Sequence, residues 1–241
     1  VCVIQARTGS TRLPGKVLRP LGERPVLAWV INAARKSGAC DEIIVATTAA
    51  AGDDAVADLA RERGADVVRG PVDDVLARYL IAADSAGAAD DDAVIRLTAD
   101  CPLLDPSLIA ACVGAFDEAS VDYVTTEHEH ALAHGLDVEV VRAGVLRQLD
   151  AVATGAHRTH VTSYIGAHAD AFDIVTIGGE PPCADLRFTL DEPADAELLD
   201  AIVAALGDQA SDYRAVVALL RCRPDLVALN AHVQIKPFTA G

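Results

Sequence analysis

The stretch Val1-Cys-Val-Ile-Gln-Ala-Arg-Thr-Gly-Ser-Thr-Arg-Leu-Pro-Gly-Lys16 decides the fold. Val1–Gln5 is an apolar run of the length and composition of a buried strand. The residues that follow hold Gly9 and Gly15, hydroxyls on both sides of Gly9, and the three cations Arg7, Arg12 and Lys16. In open α/β sheets, ligands collect at the carboxyl ends of the strands. A glycine- and hydroxyl-rich loop there can cradle phosphate oxygens with its backbone N–H groups, while Arg and Lys neutralise the charge. The loop is neither a Walker A sequence nor a G-x-G-x-x-G dinucleotide fingerprint, because Pro14 stands where the former needs its second glycine and Val17 follows Lys16.

Downstream of this stretch, short apolar runs alternate with helical patterns. Strands are expected at Glu42–Ala46, Asp66–Val68, Ala93–Leu97 and Asp122–Thr125, and helices at Pro25–Ser37, Asp53–Arg63, Val72–Ser85 and Pro106–Phe116. Pro25 opens the first helix, and Gly38 and Gly64 close the first two. Strands separated by such helices predict βαβ units in a mostly parallel sheet covered on both faces. The rhythm breaks after Thr126. Glu127–Gly135 is polar and histidine-rich, Val138–Val141 reads as a strand, and Ala143–Ala153 and His157–Ala167 read as helices. Phe172–Ile177 and Leu186–Leu190 read as short strands, and Pro193–Leu206 and Asp212–Arg221 as terminal helices. The expectation is one domain over residues 1–241 with an inserted arm at about 126–170, a flap or an oligomer contact, in a protein that forms a homodimer.

Composition narrows the partners. Of 241 residues, 51% are apolar and 23% charged, ordinary for a soluble globular chain, and 20 basic against 36 acidic residues give a net charge of −16. That balance argues against a nucleic-acid or anionic-membrane binder, since phosphate backbones reward a basic surface. No apolar run approaches the roughly 20 residues that span a bilayer, and Val1–Gln5 lacks the form of a signal peptide. Six scattered cysteines without a C-x-x-C pair suit buried free thiols in the cytoplasm. Against this acidic background, Arg7, Arg12, Lys16, Arg19 and Arg24 face only Glu23 across residues 7–24. Such a basic island focuses field on one compact anion.

Candidate chemistry follows the strand ends. Asp105-Pro106 is a natural cap and first turn of a helix, which leaves Asp100 without a structural task. A hard carboxylate beside a phosphate loop suggests a Mg²⁺ ligand. Asp191, before Glu192-Pro193, repeats the arrangement and is open to both readings, metal ligand or helix cap. Asp137 and Glu139 alternate along one strand and so share a face, which meets an acceptor hydroxyl, Mg²⁺ or solvent. His128, His130 and His134 have the ligand types for zinc but read better as a solvated flap. His157, Arg158 and His160 open a helix in the arm, where substrate binding competes with capping and packing.

Six motifs in register carry a resemblance: Ala6-Arg-x-Gly-Ser-Thr-Arg-Leu-Pro-Gly-Lys16, Arg69-Gly-x-x-x-Asp-Val-Leu-x-Arg-Tyr79, Asp100-Cys-Pro-Leu-x-Asp-Pro106, Gly135-Leu-Asp-Val-Glu139, Arg158-x-His-Val-Thr162 and Arg187-x-Thr-Leu-Asp191. Together, over about residues 1–200, they resemble the spore-coat polysaccharide cytidylyltransferases, a branch of the enzymes that make CMP-sialic acid and CMP-Kdo. The resemblance implies a three-layer α/β/α nucleotidyltransferase fold, Rossmann-like, in which an acceptor oxygen attacks the α-phosphate of CTP and pyrophosphate leaves. It implies that Ala6, Arg7, Gly9, Ser10, Thr11, Arg12 and Lys16 hold the triphosphate, with Arg12 and Lys16 catalytic. Arg69, Asp74 and Arg78 would lie near base and ribose, and Asp100 and Asp191 would ligate Mg²⁺. The acceptor, a small anion, would meet Asp137, Glu139, Arg158 and His160. The chain departs from the pattern at Ala99 (usually Gly), at Thr159 (commonly Glu) and over residues 131–134. Two of these changes fall in the arm, which points to an uncommon acceptor such as a phosphonate in place of a sugar acid. A nucleotide-sugar-dependent glycosyltransferase and a non-catalytic nucleotide-binding protein are the rival expectations.

Overall fold

In a computed structural model, residues 1–126 and 132–234 are described. The chain opens with β1 (Cys2–Gln5), a small antiparallel hairpin of β2 (Pro20–Leu21) and β3 (Arg24–Pro25), and α1 (Val26–Lys36). Next come β4 (Ile43–Thr48), α2 (Asp54–Glu62), β5 (Asp66–Gly70), α3 (Val75–Ser85), β6 (Ala93–Thr98) and α4 (Pro106–Ala119). Then follow β7 (Tyr123–Thr125), β8 (Glu139–Arg142), α5 (Ala143–Val152), the short α6 (Ala156–Thr159) and α7 (Ser163–Ala167), and β9 (Ile174–Thr176). The chain closes on α8 (Pro193–Leu206), α9 (Tyr213–Cys222) and α10 (Pro224–Val227).

Among the described residues seven strands form one sheet in the order β5-β4-β1-β6-β8-β7-β9, and β8 alone among them runs antiparallel to its neighbours. The alternation of β1 builds both layers at once. Cys2 and Ile4 join the core under α1 and α4, while Val3 joins the core under α3 and α5, and all three are fully buried. Trp29 anchors α1: its ring is 2% exposed, and its indole N–H donates to the Leu21 carbonyl at 2.9 Å, tying the hairpin to the helix. Truncating a buried aromatic of this kind to Ala costs about 3–5 kcal/mol. After β1 the chain winds outward through β4 and β5, then returns to the other flank of β1 as β6. Such a reversal opens a crevice at the carboxyl ends of the central strands.

Two expectations are corrected. Leu186–Leu190 is not a strand; it makes only an isolated bridge between His134 and Arg187. Its amides serve loops instead: Phe188 and Thr189 both donate to the His134 carbonyl (2.7 and 3.2 Å), and Leu190 donates to the Asp100 carbonyl (2.8 Å). His157–Ala167 is two short helices rather than one, because Val161 turns into the core and the Thr162 hydroxyl donates to the Glu139 carboxylate. Among the described residues no helix is long and apolar enough to cross a membrane. The six cysteines are free thiols, four of them buried.

Candidate active site

A cleft of about 410 Å³ lies over the carboxyl ends of β1 and β6. Its walls include the loop residues Ala6, Arg7, Gly9, Ser10, Thr11, Arg12 and Lys16, and opposite them Asp100, Asp137, His160 and Asp191. The loop is folded on a single oxygen. The Thr8 carbonyl accepts from Ser10 N–H (2.8 Å) and Gly15 N–H (2.9 Å), which draws the two ends together. Gly15 sits at φ +71°, a left-handed conformation that an L side chain would strain. Among the described residues, no hydrogen bond uses the backbone N–H groups of Gly9, Thr11 or Arg12. A loop of unsatisfied amides beside guanidinium groups has the chemistry to hold an anion.

At the base of the loop, Lys16 is 8% exposed, and its ammonium donates to Asp100 Oδ2 and Asp191 Oδ1, each at 2.7 Å. Burial pushes the Lys16 pKa down, but the two carboxylates outweigh it and the net shift is upward, so the ammonium stays charged. Burial likewise pushes Asp191 up, while Lys16, Arg12 and Arg187 overcome it and hold the carboxyl at about 2. Asp191 Oδ2 accepts both guanidinium groups, Arg12 at 3.2 Å and Arg187 at 3.0 Å. Arg187 is itself fixed by Asp195 (2.9 Å), a fully buried carboxylate that also accepts from Asn230 (2.9 Å). The cap of α8 is Glu192, in a reciprocal capping box with Asp195, so Asp191 is free of the capping task that the sequence left open. Asp105 does cap α4, accepting from Ser107 N–H at 2.7 Å.

Three residues of the Arg69 motif part ways. Arg69 pairs with Asp54 at 2.7 Å and does not line the cleft. Asp74 caps α3 through Ala77 N–H (2.9 Å) and holds Arg158 at 2.6 Å. Arg78 does line the cleft, is 2% exposed, and has no hydrogen-bond partner on Nε or Nη1. Gly70 is what lets it pass, since a Cβ there would stand 2.8 Å from Arg78 Cγ.

The expected acceptor residues divide in the same way. His160 and Asp137 face the cleft, joined by His134, Thr98 and Thr159. Asp137 accepts from Gly135 N–H at 2.9 Å; burial pushes its carboxyl up to about 6 despite that bond and the Cys101 thiol. Gly135, at φ +108°, allows this turn to lie against Phe188 and Thr189, whose backbone a Cβ would strike. Glu139 is 1% exposed and outside the cleft, bonded to Arg96, Tyr123 and Thr162. Arg158 is spent on Asp74 and Asp150, the latter at 2.8 Å. Of the histidines considered for zinc, His128 and His130 lie outside the described residues, and His134 sits 3.6 Å from Asp137.

Arg96 on the cleft wall, and Asp53, Asp195 and Asn230 behind it, were not singled out from the sequence. The capping box that Glu192 makes with Asp195 departs from the usual Ser/Thr-x-x-Glu/Gln spacing, so Asp195 left no such signal.

The cytidylyltransferase family model matches residues 1–175. The spore coat polysaccharide biosynthesis protein SpsF of Bacillus subtilis is 31% identical over 235 residues, covering 92% of this chain and 94% of that protein. The 3-deoxy-manno-octulosonate cytidylyltransferase of Acidobacterium capsulatum is 31% identical over 243 residues, covering 90% and 95%. Among solved structures, a cytidylyltransferase from Leptospira borgpetersenii superposes with a TM-score of 0.88 at 27% identity, covering 98% of both chains. The chain belongs to the cytidylyltransferase family and is a CTP-dependent nucleotidyltransferase.

Proposed function

We propose that the protein transfers CMP from CTP to an oxygen of a small anionic acceptor, a sugar acid or a phosphonate, with release of pyrophosphate and with Mg²⁺ as cofactor. The observation that carries this reading is the junction at Lys16, where one ammonium joins the phosphate loop to Asp100 and Asp191 at the strand ends. Displacement at an α-phosphate needs placed oxygens and neutralised charge more than a nucleophilic side chain. The free amides of Gly9, Thr11 and Arg12 orient the triphosphate, and Arg7 and Arg12 supply positive charge beside them. Lys16, kept protonated by its two carboxylates, offsets the charge that develops on the leaving pyrophosphate.

Asp100 and Asp191 fit a divalent cation: both line the cleft, and they already share one cation, the Lys16 ammonium. One or two carboxylates, completed by phosphate and water, are the set magnesium takes. When bound there, the metal would supply charge neutralisation and acidify a coordinated hydroxyl. On the acceptor wall, Thr159 puts a neutral hydroxyl where the resemblance expects a carboxylate. Losing that negative charge favours an acceptor with more anionic charge, which supports a phosphonate beside the sugar acids.

The test is pyrophosphate release from CTP and Mg²⁺ with a panel of sugar acids and phosphonates. Release that requires both CTP and one acceptor class supports the reading. Turnover of a nucleotide-sugar without pyrophosphate would overturn it in favour of glycosyl transfer. The reading also takes the protein to act in the cytoplasm as a homodimer, which light scattering at working concentration checks for the dimer.

A further inference from the structure

We propose that Asp53, which does not touch the cleft, is the positioning residue that shapes the triphosphate loop before nucleotide arrives. The inference rests on the reading that Gly9–Lys16 takes the triphosphate. Asp53 ends the turn after β4 and is 2% exposed. One of its oxygens, Oδ1, accepts from both the N–H and the hydroxyl of Thr8, each at 2.7 Å, and Oδ2 accepts from the Thr48 hydroxyl. The Gly52 carbonyl adds a weaker bond from the Thr8 hydroxyl at 3.3 Å.

The placement of these bonds gives them their role. Ala6 N–H still donates to the Ala46 carbonyl (3.2 Å), so pairing of β1 with β4 runs one residue past the strand. The loop then leaves the sheet, and Asp53 replaces the ladder as the link to β4. Thr8, once clamped, holds Ser10 and Gly15 through its carbonyl. A rigid connection therefore runs from Thr48 on β4, through Asp53 and Thr8, to both ends of the loop. It leaves the amides of Gly9, Thr11 and Arg12 for the ligand. A flexible loop would have to be ordered during binding, at a cost that weakens affinity.

A carboxylate suits the task because three donors converge on it. Asparagine would bring an NH₂ group against a donor, and charge-assisted bonds are roughly twice as strong as neutral ones. Burial pushes Asp53 up, but the bonds from Thr48 and Thr8 outweigh it, so the group stays ionised.

The experiment compares wild type, Asp53→Asn, Thr8→Val and the double variant, by calorimetric titration with CTP and with cytidine, and by steady-state kinetics with Mg²⁺. Asp53→Asn should raise KM for CTP about tenfold, change kcat less than about threefold, and leave cytidine affinity and the acceptor KM where they were. Thr8→Val, which keeps the backbone bond to Asp53, should shift KM for CTP in the same direction by less, and the double variant should fall short of the product of the two. If Asp53→Asn fails to fold, Thr8→Val alone decides. A lowered Tm with an unchanged ratio of CTP to cytidine affinity would mean that Asp53 only stabilises the fold, and would overturn the proposal. Failure of the underlying reading looks different: wild type itself would bind CTP no tighter than cytidine.

Discussion

The two walls of the cleft spend their charges differently. On the nucleotide wall, loop amides are left without partners, Arg78 is buried without an acceptor on Nε or Nη1, and Lys16 gathers Asp100 and Asp191 toward the same space. In the arm, charged side chains satisfy one another: Arg158 closes on Asp74 and Asp150, and Glu139 on Arg96, Tyr123 and Thr162. The first wall is arranged for a highly charged ligand. The second is held together by internal ion pairs, and among the described residues of the arm Asp137, His134, Thr159 and His160 reach the cleft. Charge aimed at the cleft and charge paired within the fold thus lie on different walls, although motif reading grouped them together.

The comparison can be broken most forcefully at Asp100. Asp100→Asn should reduce turnover about 100-fold or more, in the range seen when a preorganised charge is removed from a reacting centre. Thermal unfolding should change little; retained activity would show that Asp100 takes no part in the reaction. Glu139→Gln should act on the fold instead, costing about 3 kcal/mol because Glu139, 1% exposed, gives up its ion pair with Arg96. If that variant melted like wild type but lost acceptor affinity, Glu139 would belong to the substrate after all.

Asp137 gives a pH signature. Its carboxyl is raised to about 6 in the folded chain, chiefly by burial. The contribution to stability is therefore complete below the unfolded value near 4 and is lost as pH rises through 6. In urea titrations without divalent cations, wild type should lose on the order of 2 kcal/mol relative to Asp137→Asn between pH 4.5 and 7. Parallel pH profiles for the two proteins would contradict the buried assignment. The smallest effect is expected at Arg158→Ala, less than about 1 kcal/mol of stability for a partly exposed pair, with KM for CTP unchanged. A tenfold rise in the acceptor KM there would show that Arg158 faces substrate.

What was legible in the sequence follows the same division. Val1–Gln5, the loop to Lys16, the Asp105 cap and the βαβ rhythm each rest on local composition, and each is present in the structure. The position of Asp100 and Asp191 on one cleft was legible because a strand end and a glycine loop locate it by topology. Partner choice over long separations was not. Nothing local in Asp74 and Arg158, 84 residues apart, announces that they pair. Nor does Thr48-x-x-x-x-Asp53 announce a clamp on Thr8, 45 residues upstream. Leu186–Leu190 has the composition of a strand, but its amides are claimed by His134 and Asp100. His157–Ala167 has helical composition, yet Thr162 is drawn out to Glu139.

CTP binding to the loop wall is read from thermal unfolding with Mg²⁺ and CTP, UTP, GTP or ATP in turn. A ligand at a hundred times its dissociation constant adds about 2.7 kcal/mol to stability, which a shifted midpoint reveals. A shift with CTP that the other three do not match is expected, and loss of that shift in a Lys16→Ala variant. A midpoint that no triphosphate moves would contradict it.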